Sequence, residues 1–150
     1  MTTETAIPET TELTITRDIA APPERVFALW IDPQAMMRWF GIDGMTNLEM
    51  AFDARPGGAW FSKARNPSGE TFRMVGLIKA IEPNRRIVQS WAHEDAAGIL
   101  GNETEVEVLF AASAKGCLVT VHHRRIRYTP EAFQEGWTQT LTRIERELAA

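Results

Sequence analysis

The sequence has a single cysteine, Cys117, so no internal disulfide framework can hold it together. Its stability must come from a packed core, and 150 residues are enough to bury one. A lone thiol also fits a reducing compartment, and a cytoplasmic location is expected. As a nucleophile Cys117 would need a positioned base, and its own strand offers only His123. Long apolar runs are missing too, and nothing approaches the roughly 20 residues of a membrane span. The start, Met1-Thr2-Thr3-Glu4-Thr5, has neither the positive charge nor the apolar run of a signal peptide. Positive charge is in deficit: 16 Lys and Arg face 20 Asp and Glu, which argues against general attraction to nucleic acid. Tyrosine is scarce, one residue against five tryptophans and seven phenylalanines. Large rings without hydroxyls suit a core or an apolar pocket wall.

What the chain does have is periodicity. Residues 1–10 are polar, Thr-rich and carry Pro8, which predicts a loose tail ahead of one domain spanning 11–150. Leu13, Ile15 and Ile19 mark a first strand, with a slip in the alternation near Arg17. Pro22 and Pro23 end it and open a helix. Val26, Phe27, Trp30 and Ile31 fall on one side of that helix. Asp32-Pro33 breaks it, and a second short helix to about Arg38 presents Met36, Met37 and Trp39.

From Leu48 the period becomes two. Strands are predicted over residues 48–52, 60–64, 71–81, 87–93, 103–112 and 118–126, separated by turn sequences such as Arg55-Pro56-Gly57-Gly58 and Asn66-Pro67-Ser68-Gly69. Glu103, Glu105 and Glu107 alternate with Thr104, Val106 and Val108, which sets one face in water. Seven strands with short connections imply a largely antiparallel sheet. The last element is the clearest. Thr129 is a good N-cap and Pro130 a good first helical residue. Phe133, Trp137, Leu141, Ile144 and Leu148 then form one apolar stripe, which only a sheet is wide enough to cover. Gly136 inside this helix costs about 1 kcal/mol relative to alanine. A tolerated cost suggests close approach of the sheet there, or room left beside Trp137. The expected fold class is α+β: a curved seven-stranded sheet wrapped around a long C-terminal helix, an arrangement that commonly leaves a cavity.

Several short segments carry a family resemblance: Ala21-Pro22-Pro23-Glu24-Arg25-Val26-Phe27, Asp32-Pro33, Arg38-Trp39-Phe40, Arg55-Pro56-Gly57-Gly58, Gly76, Pro83, Trp91, Val119-Thr120-Val121 and Gly136-Trp137. In this order, over roughly residues 12–149, the chain resembles the START/Bet v 1-like (SRPBCC) helix-grip superfamily. More narrowly, it resembles the group named after the C-terminal domain of the activator of Hsp90 ATPase. The resemblance implies a cavity between the sheet and the last helix, in a family that includes lipid and polyketide binders and cyclases. Hsp90 activators of this kind carry a further N-terminal domain, where here about ten polar residues precede the first strand, so an Hsp90 partnership is not expected.

An apolar lining should come from Trp30, Trp39, Phe40, Trp60, Phe72 and Met74 in the first half of the chain. Trp91, Phe110, Phe133, Trp137 and Leu141 should complete it. Met36, Met37, Met45, Met50 and Met74 suit adaptable packing. Strand parity gives the polar candidates. If Val119 and Val121 point inward, so does His123, with Arg125 following. Trp91 resembles the family's inward tryptophan, which implies that Gln89 and His93 face inward as well. The alternative puts these four at the rim of the sheet, satisfied by solvent or by Glu94. His122 and His123 face opposite ways and cannot share a metal, and no ligand spacing is visible, so neither metal nor cofactor is expected.

Residues 122–127 form the one basic cluster, read either as a solvated strand end or as Arg125 and Arg127 receiving an anion at the cavity mouth. Three functions follow. The first is a binding module for a small apolar or amphipathic molecule. The second is an enzyme of polyketide cyclase or hydrolase type using His93 or His123. The third is an Hsp90-related partner. A homodimer is left open.

Overall fold

A computed structural model describes residues 11–127 and 131–149, with backbone alone at 131 and 132. The expected tail and the Thr129-Pro130 helix start lie outside the described residues. The chain opens with β1 (Thr11–Ile19), α1 (Pro23–Ile31) and α2 (Pro33–Trp39). It continues through β2 (Thr46–Phe52), β3 (Ala59–Arg65), β4 (Thr71–Glu82), β5 (Arg86–Glu94), β6 (Thr104–Ala112) and β7 (Cys117–Ile126). It closes with α3 (Glu131–Ala149). All neighbouring strands are antiparallel, in the order β1-β7-β6-β5-β4-β3-β2. The strands after α2 form a meander, and β1 joins it at the far edge. The two short helices therefore carry the chain from one edge of the sheet to the other.

Local chemistry sets these elements. Pro23 occupies the first turn of α1, where no N–H is needed, and Val26, Phe27 and Trp30 are buried on its inner side. Asp32 ends α1 and caps α2 by accepting the Gln34 N–H at 3.0 Å. Along β1 the slip expected near Arg17 does not occur. Inner and outer residues alternate through Ile19, and the irregularity lies between Thr11 and Leu13. Arg17 occupies an inner position because its guanidinium reaches α3, pairing with Glu145 and donating to Thr142 Oγ1 at 3.3 Å. A charged side chain there mimics a break in a pattern read from hydrophobicity alone.

The outer face of β5–β7 is covered by ion pairs instead of being left to water. Glu107 is half-buried, with Arg86 Nε at 2.6 Å and Arg124 at 2.8 Å. Arg124 also reaches Glu105 at 3.6 Å, and Arg86 reaches Glu82 at 3.2 Å. Burial acts to raise the Glu107 carboxyl, but hydrogen bonds from Arg86 and Arg124 outweigh it and leave its pKa below the usual carboxylate value. On the inner face, α3 lies across the sheet with Trp137, Leu141 and Ile144 buried against the row Val106, Val108, Val119 and Val121. Non-directional burial of such side chains supplies most of the folding free energy.

Candidate functional site

Beneath the first half of α3 the interior is not filled. A cavity of about 420 Å³ opens there, bounded by α3, the connection from α2 to β2, and the inner face of β3–β5. From α3 come Phe133, Gly136, Trp137 and Thr140. From the end of α2 and its connection come Phe40, Gly41, Ile42 and Met45. From the strands come Ser62 and Ala64, Phe72 and Met74, Trp91 and His93, with Asn47 and Asn66 at the edge.

Strand register explains the floor. Ser62 pairs with Met74, and Met74 with His93, so the three form one row across β3, β4 and β5. Ala64 and Phe72 form the next row. Below them Trp60 lies opposite Gly76, and its indole passes over β4 to donate to the Ser90 carbonyl at 2.9 Å. A Cβ on residue 76 would come within 1.8 Å of that carbonyl oxygen and 2.6 Å of Trp60 Nε1, so only glycine fits. With its amide oxygen turned toward the indoles, buried Gln89 accepts from Trp60 and Trp91, each at 3.2 Å. The roof is clipped down as well. Thr140 Oγ1 donates to the Gly41 carbonyl at 3.0 Å, and the Asp43 N–H donates to Gln139 Oε1 at 2.8 Å. Asn47 Nδ2 donates to the Met37 and Phe40 carbonyls. Gly41 has φ 96°, a left-handed conformation that lets the chain leave α2 tightly.

His123 is fully buried behind the aromatic wall, and the residues that line the cavity do not include it. Its Nδ1 accepts from Trp137 Nε1–H at 3.1 Å, which fixes the proton of the neutral ring on Nε2. Nε2–H then donates to Thr104 Oγ1 at 2.8 Å, and that hydroxyl donates to the Trp91 carbonyl at 3.3 Å. Burial pushes the His123 pKa down to about 4. Both ring nitrogens are occupied, so this imidazole holds two walls together and has no lone pair free for a substrate. His93 is exposed at the mouth, its ring 5.2 Å from that of Phe72. Glu94 does not serve it as a partner: adjacent strand residues face opposite ways, and Glu94 pairs with Arg73 at 3.4 Å. The thiol of Cys117 is buried, and burial raises its pKa, which keeps it protonated. No group of three His, Cys, Asp or Glu among the described residues could hold a metal.

Of the expected lining, Phe40, Phe72, Met74, Trp91, His93, Phe133 and Trp137 border the cavity. Trp30, Trp39, Trp60, Phe110 and Leu141 do not, and instead fill the solid core behind it. Trp30 is the reason for several of them: its ring lies 5.1 Å from Trp39, 5.6 Å from Phe110 and 6.2 Å from Trp137. Gln89 and His123 face inward but act within the wall. Arg125 departs from the expected parity. It has φ 65°, and this local reversal turns its side chain to solvent and buries Ile126 instead.

Gly136 borders the hollow beside Trp137, as one of its two readings expected, whereas Ser62, Ala64 and Thr140 are not among the expected lining because large apolar side chains alone do not mark a hollow. Hollows are made by small ones. Their signal was positional: Ser62 and Ala64 lie two and four residues after Trp60, and Gly136 and Thr140 lie three and seven after Phe133. At Gly136 the close neighbour is not the sheet but Ile42, whose Cγ2 would sit 3.3 Å from an added Cβ. Gly136→Ala should raise stability by about 0.5–1 kcal/mol, read by urea denaturation, because the tip of Ile42 can shift to make room. Gly136→Phe should close the hollow from above.

A curved antiparallel sheet gripping a long terminal helix, with a hollow under that helix, defines the START/Bet v 1-like class. Within it, residues 20–149 match the model of the family described as "Activator of Hsp90 ATPase homolog 1-like protein", and the chain belongs to that family. Solved structures agree. The AHSA1 protein of Silicibacter pomeroyi is 25% identical with a TM-score of 0.83, covering 93% of this chain and 98% of that one. A Chromobacterium violaceum protein is 25% identical with a TM-score of 0.82, covering 90% and 94%. A putative uncharacterized protein of Rhizobium leguminosarum is 26% identical with a TM-score of 0.77, covering 91% and 93%. No functionally curated protein matches the chain in sequence at a significant level. Among the described residues no helix is long and apolar enough to cross a membrane.

Proposed function

We propose that the protein binds a small, largely apolar molecule in the cavity under α3. The observation that carries this reading is the hollow itself, about 420 Å³ walled mainly by aromatic and methionine side chains. Protein interiors otherwise leave few voids larger than a water molecule. Ligand sites typically run from about 300 to 1,000 Å³ and combine an apolar wall with a few polar groups. Ring faces such as Phe40, Trp91 and Trp137 suit a flat or aromatic guest, and Met45 and Met74 can adjust to its outline. An acid/base reaction finds little support, because His123 is committed to Trp137 and Thr104, and Glu94 beside His93 pairs with Arg73. The test is titration with 1-aminoanthracene, an uncharged fluorophore that brightens in apolar surroundings. Binding should be saturable and should raise the melting temperature, since a ligand selective for the folded state stabilises it. Ala64→Phe, or Met74→Trp if the first variant does not fold, should weaken binding at least tenfold by filling the floor. Unchanged affinity in a folded variant would rule out this cavity as the site.

A further inference from the structure

Six buried polar side chains lie in the described interior: Ser62, Gln89, Ser90, Thr104, His123 and Thr140. Gln89 accepts from two indoles. Ser90 Oγ accepts the Leu77 N–H at 2.9 Å, Thr140 donates to Gly41, and Thr104 and His123 bond to each other. Ser62 alone has no side-chain partner among the described residues, although it is 1% exposed and borders the cavity. Buried hydroxyls are normally hydrogen-bonded, and leaving one unpaired costs free energy.

We infer that Ser62 is the polar anchor of the cavity, and that the ligand presents an uncharged oxygen to it, a carbonyl or a hydroxyl, from an aromatic or similarly flat apolar body. This rests on the binding function proposed above. Ser62 sits between Met50 on β2 and Met74 on β4, at the inner side of the floor. His93 stands two strands along the same row, about 10 Å away, and is open to solvent. The row therefore runs from a dry end at Ser62 to a wet end at His93. Among the described residues no lysine or arginine borders the cavity. An ionised carboxylate at the dry end would face one hydroxyl and no counter-charge, which is strongly unfavourable. A neutral oxygen meets the same hydroxyl without that cost, so the ligand's polar inner end must be uncharged.

Three probes of similar outline separate the possibilities when competed against 1-aminoanthracene: 2-acetylnaphthalene, 2-isopropylnaphthalene and 2-naphthoate at pH 7. The ketone should bind about three- to tenfold more tightly than the hydrocarbon, the usual worth of one net hydrogen bond. In Ser62→Ala that preference should vanish while the hydrocarbon binds as before. The melting temperature of unliganded Ser62→Ala should hold or rise, because the unpaired hydroxyl has been removed. Persistence of the ketone preference in the variant would overturn the anchor. So would tighter binding of the naphthoate, or a melting temperature several degrees lower in unliganded Ser62→Ala. Hydrocarbon binding with no ketone preference in the natural protein would reject the anchor and leave the cavity reading standing. If neither 1-aminoanthracene nor any of the three binds, both fail.

Discussion

Replacing His123 with alanine is expected to cost about 4 kcal/mol of folding free energy, measured by urea denaturation at pH 7. Two losses combine. The substitution removes a fully buried ring packed 4.3 Å from Phe133 and 5.4 Å from Trp91, leaving a void. It also strands the Trp137 indole N–H, whose acceptor is His123 Nδ1. The same residue gives stability a characteristic pH dependence. In the unfolded chain a histidine takes up a proton near pH 6.5, whereas folded His123 resists until about pH 4. Between these values the unfolded state binds the extra proton, so stability is complete above about pH 6.5 and falls as the pH drops. The loss approaches roughly 3 kcal/mol by pH 4. Glu107, with its lowered pKa, adds to the decline in the carboxylate range. His123→Leu, which keeps most of the packing, should flatten the limb between pH 6.5 and 4. An unchanged slope in that variant would show that His123 is not the group responsible.

Gly76→Ala should be nearly as damaging, about 3 kcal/mol or more, because the new methyl group meets atoms that cannot step aside. One is the Ser90 carbonyl on the next strand, which accepts the Trp60 indole N–H. Either β4 and β5 separate or Trp60 leaves its place, and Gln89 and Trp91 are tied to it. Near-ultraviolet circular dichroism should register the moved indole, and 1-aminoanthracene should bind more weakly because Trp91 forms part of the wall. Gly98→Ala is the control. It has φ 82° but open space around it, so it should cost only about 1–2 kcal/mol and leave the probe unaffected. Equal costs at the two glycines would refute the steric account.

The order of elements was legible because each one announces itself locally. Pro23 and Asp32-Pro33 bracket α1, and the stripe from Phe133 to Leu148 has a helical period no strand shares. Period-two alternation found every strand of the meander to within two residues at either end. The site was harder to read, for a physical reason. Hydrophobicity marks a residue as inward but does not say whether it meets another side chain or empty space. Trp30 and Trp137 look alike in the sequence, yet one is enclosed by rings on several sides and the other borders the cavity. Arg125 shows a second limit. Parity extrapolates correctly only while the strand stays regular, and nothing in His122-His123-Arg124-Arg125 signals the positive φ that ends it. His123 was rightly placed inside, but its role depends on an indole fourteen residues further along the chain.

The terminal helix serves two tasks along its length. Leu141 and Ile144 lie in the solid core, whereas Phe133, Gly136, Trp137 and Thr140 border the hollow. Trp137 belongs to both, because its indole also holds His123, whereas a position such as Gly136 borders the hollow without being part of that core. Such a scaffold can change the shape of its hollow at positions of that kind while its framework is inherited intact.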